Sequence, residues 1–297
     1  MTAVHTSQTP QTPPAPQTPP AQPSTRAGRR QHPYGLYAAL AVTVFFIVAL
    51  VAPQVLATHD PFALALHDAL QPPNLAHWFG TDEQGRDLYS RIIFGARESL
   101  LIGAGATAVS ITLALILGAA ASLGGRVVGA IAARLIEIQF AFPTLLLALL
   151  LVAIAGPSAV SQVFAVAIGT APGYARMVRA QILTAKTSGY VEAATALGHS
   201  RGSILGRHII PNAVRPLVAV IAMSVGQSIV WASSLSFLGL GVAPPSPEWG
   251  ALLEAGRLYI THAPWLTVVP GLVIVVIAIT ATTIGQHLQR ALESGEK

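Results

Sequence analysis

The 297-residue chain has no cysteine. Disulfides, thiolate nucleophiles and cysteine metal ligands are therefore excluded, and loops outside the cytoplasm must hold their shape without covalent staples. Charge is scarce as well. Asp, Glu, Lys and Arg make up 10% of the residues against 53% hydrophobic, and the mean hydropathy is +0.60. So few charges cannot cover a water-soluble surface of this size, which points to an integral membrane protein. No Gly-x4-Gly-Lys-Ser/Thr loop occurs, so the chain cannot hydrolyse ATP through a P-loop. His-Glu-x-x-His, Gly-x-Ser-x-Gly and paired intramembrane aspartates are also missing. The chain is thus expected to carry no catalytic residue, no cofactor and no metal site.

The net charge of +5 and pI near 10.0 could suit a nucleic-acid binder. The basic residues are scattered over several short loops, however, as membrane orientation requires, and no nucleic-acid partner is expected.

Residues 1–33 are rich in Pro, Thr and Gln and cannot bury enough apolar surface to offset ordering entropy, so a disordered tail is expected. Arg26, Arg29 and Arg30 precede an uncharged run from Gly35 to Ala57. At about 23 residues the run suits a spanning helix better than a cleaved signal peptide, although Val55-Leu56-Ala57 is an acceptable cleavage site. Further uncharged runs cover Ser99 to Leu123, Ile138 to Gly156, Ser158 to Ala175, Pro216 to Val242 and Trp265 to Gln286. These make six candidate spans. The fourth is interrupted by Pro172-Gly173 and is the weakest. The last holds eleven Leu, Ile or Val residues, worth roughly −3 to −7 kcal/mol of insertion free energy.

A cytoplasmic N-terminus would put 13 of the 17 Lys and Arg residues inside, leaving Arg86, Arg91, Arg97 and Arg257 outside. Both termini are therefore expected in the cytoplasm. No convincing internal repeat and no mid-span charge is found, and a secondary carrier would be expected to have one or the other. A carrier or channel working without an ATPase remains the alternative reading.

Between the fourth and fifth runs lies a polar segment, Tyr174 to Arg215, whose local pattern reads helix, break, helix. Val191, Ala194 and Leu197 recur at helical spacing, and Gly198 is placed as a left-handed C-cap. Ser200 can cap a second short helix with Ile204, Leu205 and Ile209 on its apolar side, which Pro211 would end before the next span.

Other motifs have simpler explanations. Gly103-Ala104-Gly105-Ala106-Thr107-Ala108 mimics a dinucleotide fingerprint but lies inside an uncharged run, where small residues serve close helix packing. His59, His67 and His77 share a loop with Asp60 and Asp68, but their spacing fits no zinc pattern, and ordinary loop residues are expected. Asp82, Glu83, Arg86, Asp87 and Arg91 read as a helix start with surface ion pairs. Arg134 and Glu137 read as an interfacial pair. Pro143, Pro172 and Pro270 mark kinks. Gln227 and Ser228, mid-span in the fifth run, should face the bundle or a pathway.

Glu192-Ala193-Ala194, three residues, Gly198 and then Ile210-Pro211 resemble the EAA loop of permease subunits in bacterial ATP-binding-cassette importers. Gly80-Thr81-Asp82, Ala141-Phe142-Pro143, Pro172-Gly173-Tyr174-Ala175-Arg176, Ser234-Leu235-Ser236-Phe237-Leu238-Gly239 and Trp249-Gly250 extend the likeness over roughly residues 35 to 292. They resemble the second of the two paired permeases in the dipeptide, oligopeptide and nickel branch.

The resemblance implies an all-α type I importer permease with six transmembrane helices and both termini cytoplasmic, in the bacterial inner membrane. Its parts would be the tail 1–33, a first helix and external loop 34–97, and a transmembrane domain 98–290 with the coupling segment at 188–211. It implies ATPase coupling through Tyr190, Glu192, Ala193, Ala194, Gly198 and Pro211. Gln227 and Ser228 are pathway candidates. The partners implied are a second homologous permease forming a heterodimer, two cytoplasmic ATPase subunits, an extracytoplasmic substrate-binding protein and the lipid bilayer. Two departures stand out: His208 takes a generally aliphatic position, and Gly285 to Arg290 lacks the acidic residues expected there.

Overall fold

A computed structural model describes residues 34–294, and the expected tail 1–33 lies outside the described residues. In chain order the helices are α1 (Tyr34–Val51), α2 (Pro53–Leu56), α3 (Leu88–Leu123), α4 (Gly125–Ala141), α5 (Thr144–Ala155), α6 (Ala159–Lys186), α7 (Gly189–Ala196), α8 (Arg201–Ile204), α9 (Ile210–Leu235), α10 (Trp249–Gly256) and α11 (Trp265–Ser294). Among the described residues there is no strand, and a single bridge pairs Thr81 with Asp87.

Among the described residues four helical stretches are long and apolar enough to cross a membrane: α1, α3, the stretch Arg201–Leu240, and α11. The pair α4 and α5, bent by 93° at their junction, makes a fifth if counted as one span. The expected third span, Ile138 to Gly156, is therefore not one straight helix. Phe142, preceding proline, is extended, and Pro143 has no N–H with which to continue the helix, so the chain turns there. The expected fourth span contains a proline but is not broken by it. Helix α6 runs 28 residues through Pro172 to Lys186. It falls outside the apolar set because Ser161, Gln162, Thr170 and small residues dilute its apolar content.

Helix α3 packs along α6 and α9, and α9 packs along α11. Three apolar clusters fill the seams. One joins Phe46, Ile92, Ile229, Trp249 and Ile277; another joins Ile102, Val152, Val166 and Leu235; the third gathers Ile136, Val178, Ile182 and Leu217 beneath α7. The sequence 103–108 lies inside α3, and Gly103 faces α9, as expected for packing by small residues. Several polar groups in the seams find partners, although Gln162 Oε1 and Ser233 Oγ are buried without one. Thr107 Oγ1 and Ser228 Oγ lie 3.0 Å apart, and Trp249 Nε1 donates to Ile92 O at 3.0 Å. The buried Glu248 carboxylate accepts from Gly250 N and Ala251 N at 2.8 Å each, starting α10, while burial pushes its pKa above the usual carboxylate range.

The ion pairs preceding α3 form as the spacing suggests, but in a buried setting rather than on the surface. Arg86 Nε lies 2.6 Å from Asp82 Oδ2, Arg91 Nε lies 3.5 Å from the same oxygen, and all three side chains are under a tenth exposed. Asp87 caps α3 by accepting from Ser90 N at 2.8 Å. Arg134 and Glu137 form an exposed pair at 2.9 Å.

Candidate functional site

The polar segment folds into an elbow. Helix α7 ends in a Schellman motif, with Gly198 N–H donating to Thr195 O at 3.0 Å and His199 N–H donating to Ala194 O at 3.1 Å. That motif needs a left-handed residue, and Gly198 has φ +78°. A Cβ there would meet nothing within 4 Å, so conformation rather than space demands glycine. Two residues on, Ser200 caps α8 by accepting from Ser203 N at 3.3 Å.

Gly198→Val should cost about 1–2 kcal/mol of left-handed strain, a factor of roughly 5–30 in the population of the intact elbow. Hydrogen exchange of amides 189–204 should accelerate accordingly, whereas Gly198→Asn, which tolerates the left-handed region, should stay near wild type.

Pro211 does not end the second helix. Residues 205–209 form one π-helical turn, with Ile210 N–H donating to Leu205 O, and the helix continues through Pro211 and Pro216 as far as Leu238, ahead of the left-handed Gly239. The widened turn lies immediately before Pro211, where an α-helical register would set the ring against the carbonyl four residues back. Pro211 is thus an exposed residue of the first turn of α9.

The elbow is seated by one face and bare on the other. Val191 and Ala194 are 8% and 6% exposed and pack with Ile204 and Ile209 against Val178, Ile182 and Ala185 of α6 and against Ala213 and Leu217 of α9. Tyr190, Glu192 and Ala193 are exposed, and Leu197 is 79% exposed. Spacing alone puts Leu197 with Val191 and Ala194, but at the helical C-cap, with the chain reversing at the next residue, it is left uncovered. It is an uncovered apolar residue at the apex of the elbow. Glu192 lies in the first turn of α7, where negative charge is favourable. The Tyr190 ring lies 6.3 Å from that of His208.

Further along the bundle a cavity of about 400 Å³ opens at the bend between α4 and α5. Its lining includes Phe142, Thr144, Thr170, Tyr174, Gln227 and Trp231, and no charged side chain. Tyr174 OH donates to Gln227 Oε1 at 3.0 Å, and the Arg176 guanidinium caps the Phe140 ring at 4.5 Å. Gln227 therefore reaches the cavity. Ser228 does not: it is buried and shares its hydrogen bond with Thr107. Of the loop histidines, His67 pairs with Asp68 at 2.8 Å, while His59 and His77 both converge on Asp87.

Residues 110–295 match the family model described as binding-protein-dependent transport system inner membrane component. The dipeptide transport system permease protein DppC of Alkalihalophilus pseudofirmus is 36% identical over 89% of this chain and 86% of its own. The probable D,D-dipeptide transport system permease protein DdpC of Escherichia coli is 37% identical over 88% and 87%. The glutathione transport system permease protein GsiD of Pectobacterium atrosepticum is 38% identical over 89% and 87%. Among solved structures, a chain of the inward-facing MetNI methionine ABC transporter superposes with a TM-score of 0.55 at 18% identity, covering 68% of this chain and 96% of that one. A chain of an amino acid ABC transporter crystallised with histidines gives 0.57, also at 18% identity, over 68% and 94%. The fold is thus that of ABC importer permeases, and the chain belongs to the family of binding-protein-dependent transport system inner membrane components.

Proposed function

We propose that this chain is one half of a heterodimeric permease in an ATP-driven importer of peptides or closely related solutes, working in the bacterial inner membrane. Six spans with both termini in the cytoplasm suit the distribution of Lys and Arg. They comprise α1, α3, the bent α4–α5 pair, α6, α9 and α11, within the transmembrane domain 98–290 and the preceding segment 34–97. The chain itself is not an enzyme; two cytoplasmic ATPase subunits supply hydrolysis, and an extracytoplasmic binding protein delivers cargo.

The observation that carries this reading is the elbow at 188–211. A lever must be rigid towards the part it moves and accessible to the part that drives it. Its buried face, Val191 and Ala194 with Ile204 and Ile209, ties it to α6 and α9. Its bare face offers Tyr190, Glu192, Ala193 and Leu197 to a partner. Gly198 keeps the bend between α7 and α8. Ala194 then serves to seat the elbow, and Pro211 to start α9 beyond it. Gln227 is the pathway residue supported by its position in the cavity. That lining offers amide and hydroxyl groups beside aromatic faces, which suits neutral peptide bonds, and the relatives' names supply the same class of cargo.

The absence of cysteine supplies the experiment, since any introduced thiol is unique in the subunit. Leu197→Cys and Ala193→Cys should form disulfide or short-linker cross-links to the co-expressed ATPase, with yields that change when ATP is trapped. Ala194→Cys should not. In intact cells these thiols should be closed to membrane-impermeant reagents applied from outside. Labelling of residue 197 from outside would overturn the orientation. Cross-linking to lipid alone would overturn the coupling role.

A further inference from the structure

We propose that His59, His77 and Asp87 form a binding site for one divalent transition-metal ion on the loop between α2 and α3. The site is independent of the transport reading and rests on how three separated residues meet. His77 Nδ1 lies 3.0 Å from Asp87 Oδ1, and His59 Nδ1 lies 3.8 Å from Asp87 Oδ2. The two imidazole rings are 4.8 Å apart with a 36° tilt, and one donor atom from each of the three residues falls within 4.8 Å of the other two. Ligands at 2.0–2.1 Å from a tetrahedral zinc ion stand roughly 3.3 Å from one another. The His77–Asp87 separation is already close to that value, and rotation of His59, whose side chain is 42% exposed, can close the other two.

The positions are built rather than incidental. Asp87 is 1% exposed in its side chain and held as the cap of α3 by Ser90 N. The hydroxyl of the same Ser90 accepts from His59 N at 3.0 Å, tying the first histidine to the cap. His77 N donates to Asn74 Oδ1 at 2.8 Å, and Asn74 N donates to His77 O at 2.9 Å, fixing the second in a tight turn. A single capping carboxylate has use for one imidazole, yet here two point a nitrogen at it. Two neutral imidazoles and a carboxylate suit the zinc, nickel and copper group of divalent ions better than calcium or magnesium. Thr58 Oγ1, 3.0 Å from His59 Nδ1, is the hydroxyl an ion would displace. The fourth position can be water, because His59 also borders an open cavity of about 360 Å³. An ion bound here would pin both the start of the loop and its middle to the first turn of α3. That is the job a disulfide would do in a chain that had cysteines.

The test is a zinc titration of the full-length, tag-free chain in detergent, stripped with chelator and followed by calorimetry and by metal content after desalting. One equivalent should bind. His59→Ala together with His77→Ala should weaken binding at least about a hundredfold, since even the outer-shell partners of metal ligands are worth 10–100-fold. His67→Ala, which removes an imidazole paired only with Asp68, should leave it unchanged. If the double variant fails to stay monodisperse, His59→Ala alone and Asp87→Asn, which keeps a capping side chain, should each cost at least about tenfold. Failure of the wild-type chain to retain zinc, or equal affinity in the histidine variants, would overturn the site.

Discussion

Ala194→Asp and Ala193→Asp, one residue apart on the same short helix, should fail in different ways. Ala194 is 6% exposed among Val191, Ile204, Ile209 and the facing residues of α6 and α9. A carboxyl group there has no hydrogen-bonding partner of its own, and burying it costs on the order of 3 kcal/mol even if it takes up a proton. The elbow can escape that cost only by leaving its seat, so undocking should become about a hundredfold more frequent. The spans themselves should still insert, because the change lies outside every apolar run. Arg201 and Arg207 are exposed but held within helix, and they should become rapid trypsin sites in the purified variant. Transport and ATPase co-purification should both be lost. Ala193→Asp leaves the seat intact, so its trypsin pattern should match wild type. It adds a second negative charge beside Glu192 on the bare face, and only the affinity for the ATPase should fall. Identical protease patterns for the two variants would mean that Ala194 does not seat the elbow.

The contrast between these neighbours shows which parts of the molecule can be read from local chemistry. Gly198 followed by Ser200 is a stop signal and a start signal within three residues, and both caps form, the first through backbone hydrogen bonds around Gly198 and the second through the Ser200 hydroxyl. Periodicity likewise identifies Val191 and Ala194 as a buried face, because two residues of a helix carry their own spacing. It fails at Leu197, the C-cap, whose backbone is still helical but which no neighbouring element covers. Pro211 misleads for a related reason. A proline normally ends a helix, but a single π-turn shifts the register just ahead of it, and nothing in the residue types 205–209 announces that turn. What holds it is the burial of Ile204 and Ile209 against α6 and α9, which depends on helices distant in sequence. Composition had a similar limit in α6, where small and polar residues lower its apolar content while allowing α3 and α9 to approach it. Of the two polar residues in mid-span, Ser228 is buried and Gln227 exposed, and the partners of neither are legible in the sequence. Only the folded bundle assigns Ser228 to Thr107 and Gln227 to a cavity shared with Tyr174. The histidines are the extreme case. Their spacing resembles no ligand motif, since the third member, Asp87, is recognisable only as a helix cap until the loop closes over it.

Gly103→Leu should be among the most damaging single changes within the membrane, and Gly105→Ala among the mildest, although both glycines belong to the stretch that imitates a nucleotide-binding fingerprint. A Cβ on Gly103 would lie 2.3 Å from Ile229 Cγ1 and 3.1 Å from its Cδ1, distances at which α3 and α9 must separate. Ile229 is 1% exposed and has nowhere to swing. One turn along the same seam, Thr107 and Ser228 share a 3.0 Å hydrogen bond that separation would break. Overpacking costs about 1–3 kcal/mol and the interhelical hydrogen bond adds about 0.6, so a loss of roughly 2–4 kcal/mol is expected in thermal unfolding of the detergent-solubilised chain. A Cβ on Gly105 meets only Val163, at 3.4 Å from Cγ2 and 3.5 Å from Cγ1, ordinary contacts, and Gly105→Ala should fall within about 0.5 kcal/mol of wild type. Ile229→Ala alone should destabilise by about 2–5 kcal/mol through the void it leaves. Combined with Gly103→Leu it should cost less than the sum, because the new side chain fills that void, with a coupling of about 1–3 kcal/mol in the double-mutant cycle. Strict additivity would mean that the two residues do not meet. Equal sensitivity of Gly103 and Gly105, with no rescue by Ile229→Ala, would instead point to a ligand read by the glycine backbone and would reopen the nucleotide-binding explanation that close helix packing replaces.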